Sequence, residues 1–362
     1  MNKIYNFSAG PSMLPKDVMI KAKKEFLNWK NLGSSVIEIS HRSIEFIKMT
    51  EIIEKNFRKL LYIPRNYEIL FLHGGARGQF SAVPMNLLKN CNEEVDYINT
   101  GYWSISAANE AMKYSKTNII DVKRVKNKKE YILKMSNWNI NNFSKYVHYC
   151  PNETIEGIAI FEEPKFYNKI IVGDFSSTIL SRKINIKNYD LIYAGSQKNI
   201  GPAGITILII KKKLLFNKNK YTPSILDYSI NYKNKSMFNT PSTFSWYMSG
   251  LVFEWILKNG GIKKMEKNNF IKSKLLYNVI DNSNLYINNI HIKNRSNVNI
   301  TFKLKYNSLN EKFLEESKKA GFLYLKGHSF FGGMRASVYN AMPFIGVKKL
   351  AKFMINFENI FG

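Results

Sequence analysis

The sequence predicts an α/β fold: a large domain with a mostly parallel central sheet flanked by helices, plus a smaller C-terminal α/β domain. Three observations lead there. Apolar runs of strand length alternate with segments of helical periodicity, an order that puts helices on both faces of a parallel sheet. Glycine-rich turns, His73-Gly-Gly75 and Gly201-Pro-Ala-Gly204, lie just beyond two of those runs. At 362 residues the chain can build two cores rather than one.

Residues 1–15 read as an N-terminal arm, 16–261 as the large domain and 262–362 as the small one. From Asp17 to Leu32, Val18, Met19, Ala22, Phe26 and Leu27 recur at helical spacing, and Gly33 stands behind them as a C-cap. Tyr67–Leu72 is an apolar strand, followed by a turn at Gly74-Gly75 and a helix through Leu88. Further strand-like runs are Val95–Asn99, Ile158–Phe161, Ile170–Gly173, Leu191–Ala194 and Ile205–Ile210. Phe244, Tyr247, Met248, Leu251, Val252, Trp255 and Ile256 form the stripe of a long helix closed by Gly260-Gly261. Asn239-Thr240-Pro241 reads as its start, with Thr240 as cap and Pro241 in the first turn. Residues 262–362 then read helix, strand, helix, strand, helix, the last carrying Val347, Leu350, Ala351, Met354 and Ile355.

Composition narrows the function. A formal charge of +27 is compatible with a nucleic-acid or membrane-surface partner. The lysines are scattered, however, and the densest runs, at Lys126–Glu130 and Lys211–Lys213, lack interleaved aromatic residues. The expectation is therefore no nucleic acid and no membrane, with the charge steering anionic substrates. Two cysteines, Cys91 and Cys150, are too few for a disulfide framework, and no charged start leads into an apolar leader, so a cytoplasmic protein is expected. The five histidines show no metal-ligand spacing, and no metal is expected.

Chemistry concentrates at Lys198, which sits between the apolar run Leu191–Ala194 and the turn Gly201–Gly204. A lysine ordinarily keeps its ammonium in water. Here its neighbours offer little that is wet, and a desolvated amine loses its proton more readily and becomes a nucleophile able to condense with an aldehyde. Asp174 ends another apolar run 24 residues earlier, the interval of two successive strands, so both side chains can meet at one sheet edge. Taken alone, Asp174 before Ser176-Ser177 also reads as a helix N-cap. The glycines of His73–Phe80 free backbone amides at a helix N-terminus, where a phosphate binds; such a turn also occurs for purely structural reasons.

Seven segments, in order along nearly the whole chain, carry a resemblance to a known family. They are Asn6-Phe-Ser-Ala-Gly-Pro11, Ile39-Ser-His-Arg42, His73-Gly-Gly-Ala-Arg-Gly-Gln-Phe80, Asp174-Phe-Ser-Ser-Thr178, Gln197-Lys-Asn-Ile-Gly-Pro-Ala-Gly204, Ser224-Ile-Leu-Asp-Tyr228 and Gly332-Gly-Met-Arg-Ala-Ser337. The chain resembles the phosphoserine aminotransferase family, class V aminotransferases of the aspartate aminotransferase-like fold type I, which use pyridoxal phosphate. The resemblance implies Lys198 as the lysine on the cofactor aldehyde and Asp174 as the carboxylate at the pyridine nitrogen. It implies cofactor contacts from Ala76, Arg77, Trp103, Thr154 and Gln197, and from Asn239 and Thr240 of a neighbouring subunit. Arg77 stands open to a substrate charge instead, and Trp103 on composition alone is a core residue. Substrate anions would be held by Arg335 at the α-carboxylate and by His41, Arg42 and His328 at the distal end.

The resemblance further implies a homodimer with shared active sites that moves the amino group of glutamate to 3-phosphohydroxypyruvate in serine biosynthesis, with a related oxo acid of vitamin B6 biosynthesis as a second candidate. The chain departs from the family pattern at Ala76, where glycine is common, at Ser329, where an arginine is frequent, and at Ala9, where a serine is often found. Rival readings are a basic nucleic-acid-binding module, a nicotinamide dehydrogenase, whose G-x-G-x-x-G spacing the first turn lacks, and another fold type I enzyme such as an alanine-glyoxylate aminotransferase or a desulfurase.

Overall fold

A computed structural model describes residues 3–362; Met1 and Asn2 of the arm expected over 1–15 lie outside the described residues. Strand β1 (Tyr5–Asn6) precedes helices α1 (Lys16–Glu25) and α2 (Ile44–Leu61). An alternation comes next: β2 (Tyr67–Leu72), α3 (Gly75–Leu87), β3 (Glu94–Asn99), α4 (Tyr102–Ala111) and β4 (Lys116–Asp121). Then come the hairpin β5 (Lys123–Lys126) and β6 (Lys129–Ile132), strand β7 (Tyr146–Tyr149), the short pair β8 (Asn152–Glu153) and β9 (Ile158–Ala159), and strands β10 (Ile170–Asp174), β11 (Leu191–Gly195) and β12 (Thr206–Lys211). Helices α5 (Tyr228–Lys233), α6 (Thr243–Lys258) and α7 (Gly261–Asp281) lead to β13 (Tyr286–Ile287), β14 (Asn299–Leu304), α8 (Asn310–Lys319), β15 (Phe322–Leu323), β16 (Met334–Ser337) and α9 (Phe344–Phe361).

Seven strands form one sheet in the order β2-β12-β11-β10-β7-β3-β4. Only β12 runs antiparallel to its neighbours. The stretch between β11 and β12 is a turn, too short for the crossover a parallel pair needs, so the chain folds straight back. Every residue of β11 is buried, the uniform apolar pattern of a strand covered on both faces.

On one face, Phe46, Ile53 and Phe57 of α2 pack with Trp246 and Phe253 of α6. Gly250 lets these helices approach, since a Cβ there would lie 2.6 Å from Ile53 Cγ1. On the other face, Phe80 and Val83 of α3 and Ala107 and Ala111 of α4 cover Tyr97, Tyr146 and Tyr193 of the sheet. A second core gathers around β14 and β16 with Phe313, Leu350 and Phe357, and Tyr5 and Phe7 join it as β1 pairs in parallel with β15.

Three local expectations are corrected. The helix expected over Asp17–Leu32 stops at Glu25, and a 3-10 turn at Trp29–Asn31 comes after it, because Trp29 turns into the core while Leu27 is left exposed. Ile158–Phe161 does not join the main sheet; only Ile158 and Ala159 form a strand, paired antiparallel with β8. The long helix starts at Thr243 behind Ser242, not at Thr240, whose side chain is exposed; Ser242 Oγ donates instead to Ser245 Oγ at 2.9 Å. Among the described residues no helix is long and apolar enough to cross a membrane.

Candidate active site

The register of two neighbouring strands fixes the centre of the site. β10 and β11 run parallel with Asp174 opposite Tyr193, and each strand ends at the same sheet edge. Five residues beyond Tyr193, Lys198 turns back over that edge. Its backbone carbonyl accepts from Ser12 Oγ at 2.5 Å, and its Nζ donates to Thr154 Oγ1 at 2.6 Å. The side chain is half-buried, and burial of the ammonium pushes its pKa down to about 8. The Asp174 carboxylate opposes that shift and Arg335 reinforces it, so both stand within electrostatic reach of the amine.

Asp174 is 7% exposed. Burial raises its pKa, while hydrogen bonds from Ser176 and the Lys198 charge pull it back. Oδ1 accepts from Ser176 N at 2.9 Å, a bond made in a turn with no helix behind it, so the N-cap alternative falls away. Behind it, His148 Nε2 lies 2.8 Å from Tyr193 Oη, and His148 stacks on Tyr97 at 4.5 Å between ring centres. Burial pushes His148 down to about 3, so this imidazole is neutral.

The N-terminus of α3 faces the same edge. Gly74 has φ +88° and is the non-helical cap, and the first intrahelical bond is Gly78 N to Gly74 O at 3.0 Å. The amides of Gly75, Ala76 and Arg77 therefore have no helical acceptor and, with the helix dipole, form an anion site. Ala76 N is close enough that a Cβ on Gly195 would lie 3.6 Å from it, and 2.9 Å from Gln197 Oε1. Arg77 is exposed, with its guanidinium over the Trp103 ring at 5.3 Å. Trp103, on the first turn of α4, is half-buried and its Nε1 has no partner. The indole packs against the core beneath α3 and α4, so the core expectation holds in part, while Arg77 lies over its ring.

Arg335 comes from β16 of the second core. Burial lowers its pKa, and its Nε is buried without a partner. It lines a cavity of about 120 Å³ together with Glu156, Lys303 and Met334. Two residues after the strand, Tyr339 Oη donates to the Ala9 carbonyl at 3.1 Å and accepts from Asn299 Nδ2 at 3.0 Å. Ala9, the β14–β16 strands and Thr154 thus come together beside Lys198. His328 stands 5.3 Å from the Tyr102 ring and is stacked on Phe330 at 6.0 Å, while Ser329 is exposed.

The chain thus brings Lys198, Asp174, Thr154, Gln197, Ala76, Arg77, Trp103 and Arg335 to one edge, with His328 beside Tyr102. His41, Arg42, Asn239 and Thr240 do not join them: Arg42, Asn239 and Thr240 are exposed, His41 is half-buried, and none makes a side-chain hydrogen bond or ring contact to the cluster. Among the described residues no group of three or more His, Cys, Asp or Glu could hold a metal ion. Sequence reading missed Glu153, Glu156, Tyr193, His148 and Tyr339. Glu153 adjoins Thr154, and only its partners in α4, some 50 residues earlier, show what it does.

Chemically, the edge offers a buried amine of lowered basicity, a buried carboxylate facing it, a phosphate-sized set of free amides and a flat indole with an unpartnered N-H. That set fits a phosphorylated aromatic aldehyde. The model for the class-V aminotransferases matches residues 4–350. A phosphoserine aminotransferase of Buchnera aphidicola subsp. Cinara cedri (strain Cc) is 61% identical over 363 residues, covering all of both chains. The solved structure of phosphoserine aminotransferase from Bacillus circulans subsp. alkalophilus superposes with a TM-score of 0.94 at 35% identity, covering 99% of each chain. The pyridoxal phosphate-bound enzyme from Trichomonas vaginalis does so with a TM-score of 0.91 at 35% identity, covering 98% of this chain and all of that one.

Proposed function

This chain belongs to the class-V aminotransferase family, in its phosphoserine aminotransferase branch, and from that premise we propose that it transfers the amino group of glutamate to 3-phosphohydroxypyruvate, giving phosphoserine and 2-oxoglutarate, with pyridoxal phosphate as cofactor. The observation that carries the reading is that Lys198, just past β11, lies within electrostatic reach of Asp174 at the end of the adjacent parallel strand β10, with the free amides of α3 at the same edge. Pyridoxal phosphate supplies, when bound, an aldehyde that takes up an amino group and a ring that withdraws the electrons left by a departing proton.

The residues divide the remaining work. The amides of Ala76 and Arg77 hold the phosphate at the positive end of α3. Trp103 presents a face to the ring. Asp174 would accept a hydrogen bond from a protonated ring nitrogen, and burial would strengthen that ion pair. Thr154, which accepts from Lys198 Nζ, and Gln197, beside Gly195, would help to hold the cofactor ring. Lys198 would take the substrate Cα proton and return it; a pKa lowered to about 8 suits a group that must do both. Arg335 grips the substrate α-carboxylate through two parallel hydrogen bonds.

The distal end of the substrate carries a carboxylate in one half-reaction and a phosphate in the other. His328 lies on the same chain, and we assign His41 and Arg42, with Asn239 and Thr240 at the cofactor phosphate, to a second copy of this chain, since none of the four reaches its own cluster. The site is then shared across a two-fold dimer. The oxo acid of vitamin B6 biosynthesis has the same phosphate and keto acid groups and is a second substrate on this reading.

Borohydride treatment of the protein with pyridoxal phosphate tests the core of the proposal: the pyridoxyl group must remain on the peptide containing Lys198, and its absence from that peptide defeats the assignment. Shared sites are tested by mixing Lys198→Ala and Arg42→Ala proteins. Activity returns in the mixture if each dimer rebuilds one intact site, and stays absent if the sites are self-contained.

A further inference from the structure

We propose that Glu153 and Glu156 are positioning residues for the reaction: they hold the first turn of α4 by its backbone amides and so set where the Trp103 and Tyr102 rings stand at the site. The proposal rests on the reading of Lys198, Asp174 and Trp103 as one site. The first amides of a helix have no helical acceptor and are usually met by the side chain of the N-cap residue or by water. In α4 the N-cap is Gly101, which has no side chain. Two carboxylates from the β8–β9 turn take its place. Glu153 Oε2 accepts from Trp103 N at 3.0 Å, and its Oε1 accepts from Ser104 N at 2.9 Å and Thr100 Oγ1 at 3.1 Å. Glu156 Oε1 accepts from Tyr102 N at 2.8 Å. Glycine is required between them, because a Cβ on Gly101 would lie 2.7 Å from Glu156 Cδ and 2.8 Å from Glu153 Cγ.

This cap does more than finish a helix. Glu153 is fully buried, and the next residue, Thr154, accepts the Lys198 ammonium. One short segment therefore holds the reacting amine on one side and the indole on the other, so their separation is set by two neighbouring side chains. The Tyr102 ring, fixed through Glu156, is the surface against which His328 and Phe330 pack. A carboxylate in this place is stabilised by the helix N-terminus, but two so close resist ionising together. Burial, with Glu153 beside it, pushes Glu156 up to about 8, and its Oε2 is buried without a partner, as suits a protonated carboxyl. The groups facing Glu156 are Glu153, Lys123 of β5 and Arg335 of β16, with Glu130 and Lys303 lining the same cavity. Above that pH, Glu156 places a negative charge beside Arg335 and competes with the substrate for it.

The test uses protein containing 5-fluorotryptophan, with pyridoxal phosphate removed, so it does not depend on transamination. Of the five tryptophans, the Trp103 fluorine resonance is the one lost in Trp103→Phe. Measured in Lys198→Met protein, so that the amine does not titrate in the same range, it should shift with pH with a midpoint near 8, and with Glu156→Gln added it should not. Glu153→Gln should displace it at every pH, with Glu153→Asp displacing it less. In the loaded enzyme, Glu156→Gln should remove a rise in the KM for glutamate above that pH while sparing kcat. A Trp103 resonance that is pH-independent and unmoved by either glutamine substitution would overturn the proposal. Should Glu153→Gln not fold, the Glu156→Gln titration decides alone. Fluorine shifts as expected in a protein that, loaded with pyridoxal phosphate and unsubstituted, shows no transaminase activity would instead count against the transaminase reading alone.

Discussion

Replacing Lys198 with methionine should make the cofactor-free protein more stable at neutral pH while abolishing its chemistry. The ammonium in the folded chain has a pKa of about 8, against 10.5 when free. At about 1.4 kcal/mol per pH unit that displacement is about 3 kcal/mol against the folded state. Two terms reduce it. The residue is only half-buried, so water screens part of the penalty, and methionine leaves Thr154 Oγ1 without its donor, which costs about 1 kcal/mol. A net gain of about 1–2 kcal/mol remains. Its pH dependence is set by linkage. A lysine whose folded pKa lies below its unfolded value weakens the fold fully at pH below the folded pKa, and that penalty is relieved as pH rises from about 8 to 10.5, where the unfolded chain still holds the proton. Urea unfolding of both proteins across this range measures it. A methionine variant less stable at neutral pH, or a difference that does not shrink above pH 8, would refute a desolvated amine at this position.

Other outcomes rest on the same geometry. Arg335→Ala removes a charge-assisted contact and should weaken glutamate use by roughly 1.5–3 kcal/mol, seen in kcat/KM; unchanged kinetics would deny it the carboxylate. His148 should remain neutral at pH 5, because burial holds it at about 3, and nitrogen NMR of the ring reads this directly. Since its folded pKa lies below the ordinary 6.5, the stability it protects is lost as pH falls from 6.5 toward 3, and His148→Phe should flatten that loss. Gly101→Ala should destabilise the protein by about 1–3 kcal/mol through overpacking against Glu153 and Glu156, with a lowered melting temperature; an unchanged one would mean the cap yields.

Two strands and the chemistry beside them were legible in the chain. Ile170–Gly173 and Leu191–Ala194 are apolar, so burial on both faces of a sheet could be read from composition alone, and Lys198 between such a run and a glycine turn stood out as an amine with few wet neighbours. The central strand Tyr146–Tyr149 escaped because four residues that include His148 look polar until Tyr193 and Tyr97 are seen to enclose the ring. Helix ends went astray at Leu32 and Thr240 for a related reason: propensity and spacing are local, whereas the core contact of Trp29 and the bond between Ser242 and Ser245 depend on how the chain packs. Only the tertiary structure decided how distant residues pair. Glu153 meets the amides of α4, Tyr339 reaches the carbonyl of Ala9, and Arg335 is carried from another sheet to within electrostatic reach of Lys198. Such contacts leave no periodicity in the chain, because their geometry is set by the packing of whole elements against one another.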